Sequence, residues 1–236
     1  MTRNYIVLDC EGVDTVKRED GSVHAETSLF YDLGFVVVNG DNGSIIESYS
    51  FMNTDVYDDV DLMESAYYAW KRKKYDAGRG TEWTEATTLE IWITFKEVCR
   101  RYDVREVWAY NARYDIKCTN NTIRTMSREF ARFFLPYGVT WRDVWDYAGS
   151  TLCNTRKYVK WALTRDYRTD SGNPRTRAET VFRYLTNDDT FIEEHTALAD
   201  ARIESMILWT CKRRKQRARR SIGQGWRDAA AILAQL

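Results

Sequence analysis

The first apolar run of the chain, Tyr5-Ile6-Val7-Leu8, is short and continuous and ends in Asp9-Cys10-Glu11-Gly12. Such a run predicts a buried strand whose C-terminal end carries two acids. A polar stretch over 14–26 follows. The aromatic and β-branched run over 29–38 predicts a second strand. Asn39-Gly40-Asp41-Asn42-Gly43 predicts a turn and 44–51 a third strand, so the second and third strands form a hairpin. The pattern is least regular over 53–88, where it supports one helix over 62–74 and a Gly-containing loop over 76–80. Ile91, Trp92, Phe95, Val98 and Cys99 then recur at helical spacing within 89–102. A fourth strand is predicted over 104–110, a helix over 116–135 stopped by Pro136, and a short fifth strand at Val139-Thr140-Trp141. Helical patterns occupy 145–152, 158–163, 178–185 and 197–212, with a polar loop over 169–176, and a short apolar-faced helix is predicted over 226–236. A hairpin followed by alternating helices and strands predicts an α/β fold with a five-stranded mixed sheet flanked by helices.

Composition narrows the picture only a little. A chain of 236 residues suits one large domain or a compact domain with appendages, and 44% hydrophobic content is enough for a sizeable core. Aromatics make up 14%, which core packing largely explains, although base stacking draws on the same residues. Lys and Arg number 35, as do Asp and Glu, so the chain lacks the global charge of a non-specific nucleic-acid binder. The basic residues are uneven, however, and crowd into 212–220. Cys10, Cys99, Cys118, Cys153 and Cys211 are scattered and lack zinc-ligand spacing, which predicts reduced thiols and a cytoplasmic protein. No signal-peptide pattern opens the chain and no apolar run reaches membrane-spanning length, so no membrane partner is expected. The acids Asp55, Asp58, Asp59, Asp61 and Glu64 lack the spacing and glycine of an EF-hand loop and read as a solvated segment.

Three polar groups carry the chemistry. Asp9 and Glu11 alternate on a strand and therefore share a face, and paired carboxylates are the oxygen donors that Mg²⁺ or Mn²⁺ prefers. Taken alone, such a pair is an ordinary acidic turn. Asp115 closes Asn111-Ala112-Arg113-Tyr114-Asp115, directly after the fourth predicted strand, where a helix N-terminus also favours an acid. His195, one of two histidines, lies five residues before Asp200 at the mouth of an apolar-periodic helix. An imidazole titrates near about pH 6.5, close to what a general base needs. Four carboxylates and one base, in this order, are what a two-ion clamp on a phosphodiester requires.

Leu8-Asp9-Cys10-Glu11-Gly12, Asn111-Ala112-Arg113-Tyr114-Asp115 and His195-Thr196-Ala197-Leu198-Ala199-Asp200-Ala201 resemble, in order, the three motifs of the DEDDh 3′→5′ exonuclease superfamily. The family includes proofreading exonucleases, tRNA-trimming ribonucleases and oligoribonucleases. The resemblance implies a ribonuclease H-like fold over 1–212, with 213–236 a basic, helical C-terminal extension. It implies two Mg²⁺ or Mn²⁺ ions, one held by Asp9, Glu11 and Asp200, with Asp9 bridging to a second that Asp115 supports through water. His195 would take a proton from the attacking water. The substrate would be the 3′ end of single-stranded DNA or RNA, with nucleoside 5′-monophosphates released. Relatives work as monomers, as homodimers and with replication or repair partners. Many relatives carry Thr after the first-motif Glu to seat the terminal nucleotide. Here Gly12 and Val13 occupy that stretch, and together with Asn111 and Tyr114 they are the expected substrate-binding residues.

Analogy with proofreading enzymes slightly favours DNA. The alternatives are an exoribonuclease that trims RNA 3′ ends or short oligoribonucleotides, and a non-catalytic nucleic-acid-binding module on the same fold. The module would have lost a ligand or the base, and all five positions are filled here. The run over 212–220 reads equally as a solvated face or a phosphate contact, whereas the basic helix segment Trp70-Lys71-Arg72-Lys73-Lys74 reads first as surface and second as a contact to the nucleic-acid strand.

Overall fold

The computed structural model of the protein describes residues 3–16, 26–64, 66, 68–126 and 131–214. Six strands form one mixed sheet: β1 (Tyr5–Asp14), β2 (Ser28–Val38), β3 (Ile45–Asn53), β4 (Thr84–Ala86), β5 (Glu106–Ala109) and β6 (Thr140–Asp143), in the order β4-β3-β2-β1-β5-β6. β1, β2 and β3 make an antiparallel meander, whereas β5 joins β1, and β6 joins β5, in parallel. The sixth strand, unforeseen in the sequence, is β4, three residues paired in parallel with Phe51, Met52 and Asn53.

Nine α-helices punctuated by short turns cover the sheet among the described residues: α1 (Thr54–Tyr57), α2 (Val60–Met63), α3 (Arg72–Gly78), α4 (Thr88–Arg101), α5 (Arg113–Met126), α6 (Val144–Ala148), α7 (Arg156–Thr164), α8 (Ala178–Thr186) and α9 (Ala197–Arg213). Ile6, Leu8 and Cys10 on one face of β1 pack with Ile91, Phe95, Cys118 and Ile123 of α4 and α5. Tyr5 and Val7 on the other face pack with Ile207, Leu208 and Cys211 of α9. β2 is buried along its whole length because both faces are covered. A third apolar cluster, with Val13, Tyr31, Met52, Tyr57, Tyr75 and Trp83, joins the end of the meander to α1–α3. A reciprocal Thr87–Glu90 capping box starts α4.

Three elements depart from the sequence pattern. The helix predicted over 62–74 is instead α2, a 3₁₀ turn (Ala69–Lys71) and α3, which runs on through the predicted loop to Gly78. The helix predicted to reach residue 135 ends at Met126. Residues 131–135 are not helical; the Phe134 N–H donates to Asn120 Oδ1 at 2.8 Å, and Phe134 buries its ring against Phe30 and Phe95. The pattern over 145–152 resolves into α6 and a π-helical turn (Gly149–Cys153). α9 ends at Arg213, and the predicted helix over 226–236 and most of the basic run lie outside the described residues. No helix among the described residues is long and apolar enough to cross a membrane.

Candidate active site

β1 extends past its apolar run because Asp9 and Glu11 stay in register, opposite Gly34 and Asp32 of β2. Strand alternation then places both acids on the face of Tyr5 and Val7, the face that α9 covers. A register shift follows between Glu11 and Gly12, after which the ladder resumes at Gly12 opposite Phe30. Gly34 lets α9 come down onto this spot. A Cβ at residue 34 would lie 2.0 Å from Leu198 N and 2.3 Å from the Ala197 carbonyl carbon, so only glycine admits the N-terminus of α9 beside Asp9. Asp200, in the first turn of α9, thereby reaches the two strand acids.

Carboxylate oxygens of Asp9, Glu11 and Asp200 all lie within 4.8 Å of one another. Asp200 is 6% exposed, and its Oδ1 is buried with no hydrogen-bond partner. Burying an unpaired carboxylate oxygen beside two further carboxylates is costly unless a cation completes the group. The donor set is all oxygen, which suits Mg²⁺ or Mn²⁺ and not a soft metal. The residues present therefore fit the ions expected from the sequence motifs.

Asp115 approaches from the opposite partner of β1. It opens α5, is buried, and its Oδ1 accepts the N–H of Cys10 at 3.2 Å. It lies outside the close triad, yet its charge raises the pKa of Asp9. The start of α5 is held by Asp143, whose carboxylate accepts the N–H groups of Asn111 (3.2 Å) and Ala112 (3.1 Å) and fixes Asn111 at φ 59°.

His195 precedes α9 with φ 52°, a left-handed conformation uncommon for a non-glycine residue. Its Nδ1 faces the carboxylates of Glu193 at 3.7 Å and Asp200 at 3.9 Å. Glu193, Glu179 of α8 and His195 also bring ligand-type atoms within 4.8 Å. Glu179 is already engaged, by Arg183 at 2.6 Å and by the Glu193 N–H at 3.2 Å, and so ties the His195 loop to α8.

Burial, then repulsion from neighbouring acids, raises the carboxyls of this region together. Asp9 and Glu11 stand well above the ordinary carboxylate range. Asp115 is pushed up to about 7 and Asp200 to about 8, in both cases chiefly by burial. The His195 imidazole moves the other way, lowered first by burial and then by the Lys71 ammonium. A neutral imidazole next to acids that want a cation is chemically matched to accepting a proton.

Four contributors were not visible in the sequence. Glu204, four residues after Asp200 and hence on the same face of α9, is 3% exposed, and its Oε2 accepts the Tyr110 N–H at 3.3 Å. It is the strongest charged neighbour of Asp9, and helical spacing alone could have flagged it. Lys71, read as part of a solvated basic face, is 6% exposed and reaches the His195 loop. Trp70 beside it is indeed exposed, at 75%. Asp32 and Gly34 on β2 were read only as strand residues.

The expected substrate contacts fare unevenly. Val13 is fully buried in the third cluster and presents no face to a base. Gly12 is buried as well, and a Cβ there would lie 2.3 Å from the Tyr114 hydroxyl, so its missing side chain makes room for Tyr114. Tyr114 is half-buried and packs on the α4–α5 side of the sheet. Asn111 is exposed and lines a cleft of about 410 Å³ that opens from the acids. Asp9, Glu193, Asp200 and Glu204 line it, as do Trp145, Thr176 and Arg177.

No family model matches the chain, and no curated relative matches it. Solved structures do. E. coli exonuclease I in complex with a dT13 oligonucleotide aligns over 90% of this chain and 42% of its own, with a TM-score of 0.56 and 15% identity. The zinc-bound form of the E. coli exonuclease I–single-stranded DNA complex aligns over 92% of this chain and 42% of its own, with a TM-score of 0.57 and 14% identity. An exonuclease I complex with the SSB C-terminus aligns over 91% and 42%, with a TM-score of 0.56 and 14% identity. The chain spans about two fifths of the length of these proteins, and at this identity the likeness is one of fold: the ribonuclease H-like α/β architecture of exonuclease I.

Proposed function

We propose that this chain is a metal-dependent 3′→5′ exonuclease of the DEDDh type that hydrolyses single-stranded DNA to nucleoside 5′-monophosphates. The observation that carries the reading is the convergence of Asp9, Glu11 and Asp200 within 4.8 Å around a buried Asp200 oxygen that has no partner, with His195 3.9 Å from Asp200. The fold likeness to exonuclease I, one structure of which holds dT13, supports single-stranded DNA as the substrate.

Asp9, Glu11 and Asp200 would hold one Mg²⁺ or Mn²⁺ ion, and Asp9 with Asp115 a second. Bound there, the ions would supply Lewis-acid stabilisation of the attacking and leaving oxygens. The chain's own part is to gather the acids, whose raised pKa values a bound cation would lower, and to move a proton. His195, kept neutral by burial and by Lys71, accepts the proton of the attacking water at an imidazole nitrogen. Its side chain is 36% exposed, so the proton can pass on to solvent. The cleft receives the 3′-terminal nucleotide, with Arg177 offering a cation to a phosphodiester and Asn111 a polar edge.

The test is digestion of matched 5′-labelled single-stranded DNA and RNA with Mg²⁺, with Mn²⁺ and with chelator, beside the Asp9→Ala protein. A metal-dependent ladder shortening from the 3′ end of DNA, absent in Asp9→Ala, is expected. Faster digestion of RNA would reassign the substrate, and no cleavage of either strand would overturn the reading.

A further inference from the structure

The segment between β3 and α4, whose Trp70–Lys74 stretch reads in the sequence as a basic surface, braces the loop that carries His195. Lys71 Nζ donates to the carbonyl of Glu194 and, at 2.8 Å, to that of His195 itself. The Tyr68 ring lies against the imidazole, with centroids 5.1 Å apart and planes 18° from parallel. Lys74 pairs with the Glu194 carboxylate. Behind them Asp32 accepts the N–H of Ala197 at 3.0 Å, the first residue of α9. Tyr75 and Trp83, from the same segment, donate to Asp32 at 2.8 and 3.1 Å.

These contacts converge on His195, whose backbone is left-handed at φ 52°. A side chain at such a φ is directed by its flanking peptides, and the peptide after His195 is the one whose carbonyl Lys71 grips. A buried ammonium is spent where a neutral donor would satisfy the same oxygens, and Tyr68 closes one face of the ring.

We propose that Lys71 is a positioning residue that sets the orientation of the His195 imidazole, with Tyr68 as its second contact. The proposal rests on the exonuclease reading, in which His195 is the base. The competing account is that Lys71 acts on the acids directly, since its charge is felt by Glu11 and Asp200.

A double-mutant cycle separates the two. Single-turnover digestion of 5′-labelled single-stranded DNA at saturating Mg²⁺ is measured for wild type, Lys71→Met, Lys71→Arg, Tyr68→Leu and His195→Ala. The first and third substitutions are also measured in the His195→Ala background. Lys71→Met should lower the rate by about 10²-fold, the cost of misplacing a reacting group by about an ångström, with little change in KM. Lys71→Arg, which can still donate to both carbonyls, should recover most of the rate. In the His195→Ala background both substitutions should change the rate by no more than about two-fold.

A full Lys71→Met loss in that background, or no loss in the wild-type background, overturns the proposal. Should Lys71→Met fail to fold, Tyr68→Leu in the two backgrounds decides by the same criteria. The imidazole NMR signals give a readout that needs no activity: the chain has two histidines, so His195→Ala assigns them. Lys71→Met should move the His195 signals toward those of an unrestrained histidine, and unmoved signals overturn the proposal. Failure of the exonuclease reading looks different: a wild-type protein that cuts nothing, or His195→Ala at the wild-type rate.

Discussion

Gly34→Ala adds one methyl group and should abolish most of the proposed exonuclease activity. The new Cβ would fall 2.0 Å from Leu198 N, 2.3 Å from the Ala197 carbonyl carbon and 2.4 Å from Leu198 Cα. All three are backbone atoms at the start of a packed helix, so no side chain can swing away. To reach ordinary van der Waals separation, the first turn of α9 must retreat from β2 by more than an ångström. Overpacking of this kind costs about 1–3 kcal/mol of stability. The functional loss should be larger in proportion, because that turn carries Asp200 and is preceded by His195, while Asp9 sits directly across the ladder from Gly34. A displacement of about an ångström between groups that must act together costs about 10²-fold in rate. The assay pairs thermal unfolding with single-turnover digestion of single-stranded DNA. A folded Gly34→Ala protein with an unchanged rate and an unchanged midpoint would refute the claim that close approach of α9 builds the site.

Three further outcomes follow from the same geometry. Asp200→Asn should match or exceed wild type in metal-free thermal stability at about pH 8, because it neutralises a buried carboxylate whose Oδ1 has no hydrogen-bond partner, yet lose the stabilisation expected from Mg²⁺ in wild type; an undiminished Mg²⁺ shift would contradict it. Trp83→Phe strips the 3.1 Å donor from buried Asp32 and should cost about 1–3 kcal/mol in chemical denaturation, with a stability equal to wild type counting against the brace. The pH dependence has a definite sign. Asp32 is held up at about 6, Glu193 at about 7 and Asp200 at about 8, each mainly by burial. In the unfolded chain they titrate near about 4, so the folded protein binds the extra protons. Their contribution is complete below about pH 4 and fades as pH rises through about 6 to 8. Chelator-treated protein should therefore melt at a lower temperature at about pH 8 than at about pH 5.5, with Mg²⁺ offsetting the fall, whereas a midpoint that rises over this window would show the acids are not strained.

The candidate site was legible where chemistry coincides with local pattern. An apolar run ending in Asp9 and Glu11 marks a strand edge, and a His–Asp spacing at the mouth of an amphipathic stretch marks α9. The hairpin, the fourth and fifth predicted strands and most helices likewise follow from periodicity. What stayed hidden depends on long-range contact. Lys71 stands in a run of cations that reads as solvated, and only the loop 123 residues later makes it a buried donor. Gly34 looks like an ordinary interruption of a strand until α9 is laid across it. Val13 follows two acids and a glycine and suggests a contact surface, whereas the cluster with Leu29 and Met52 claims it for the core. β4 is too short to carry any alternation and exists because it extends the sheet beside the end of β3. The 116–135 pattern is helical in period, yet the burial of Phe134 against Phe30 and Phe95 wins over continuing α5.

The central claim is that Asp9, Glu11 and Asp200 hold a divalent cation, and calorimetric titration of Mn²⁺ into protein free of nucleic acid tests it most directly. Wild type should bind saturably, and Asp9→Ala, which removes the acid shared by both expected ions, should show no saturable binding. Identical isotherms for the two proteins would contradict the account and leave the three carboxylates without the role their convergence suggests.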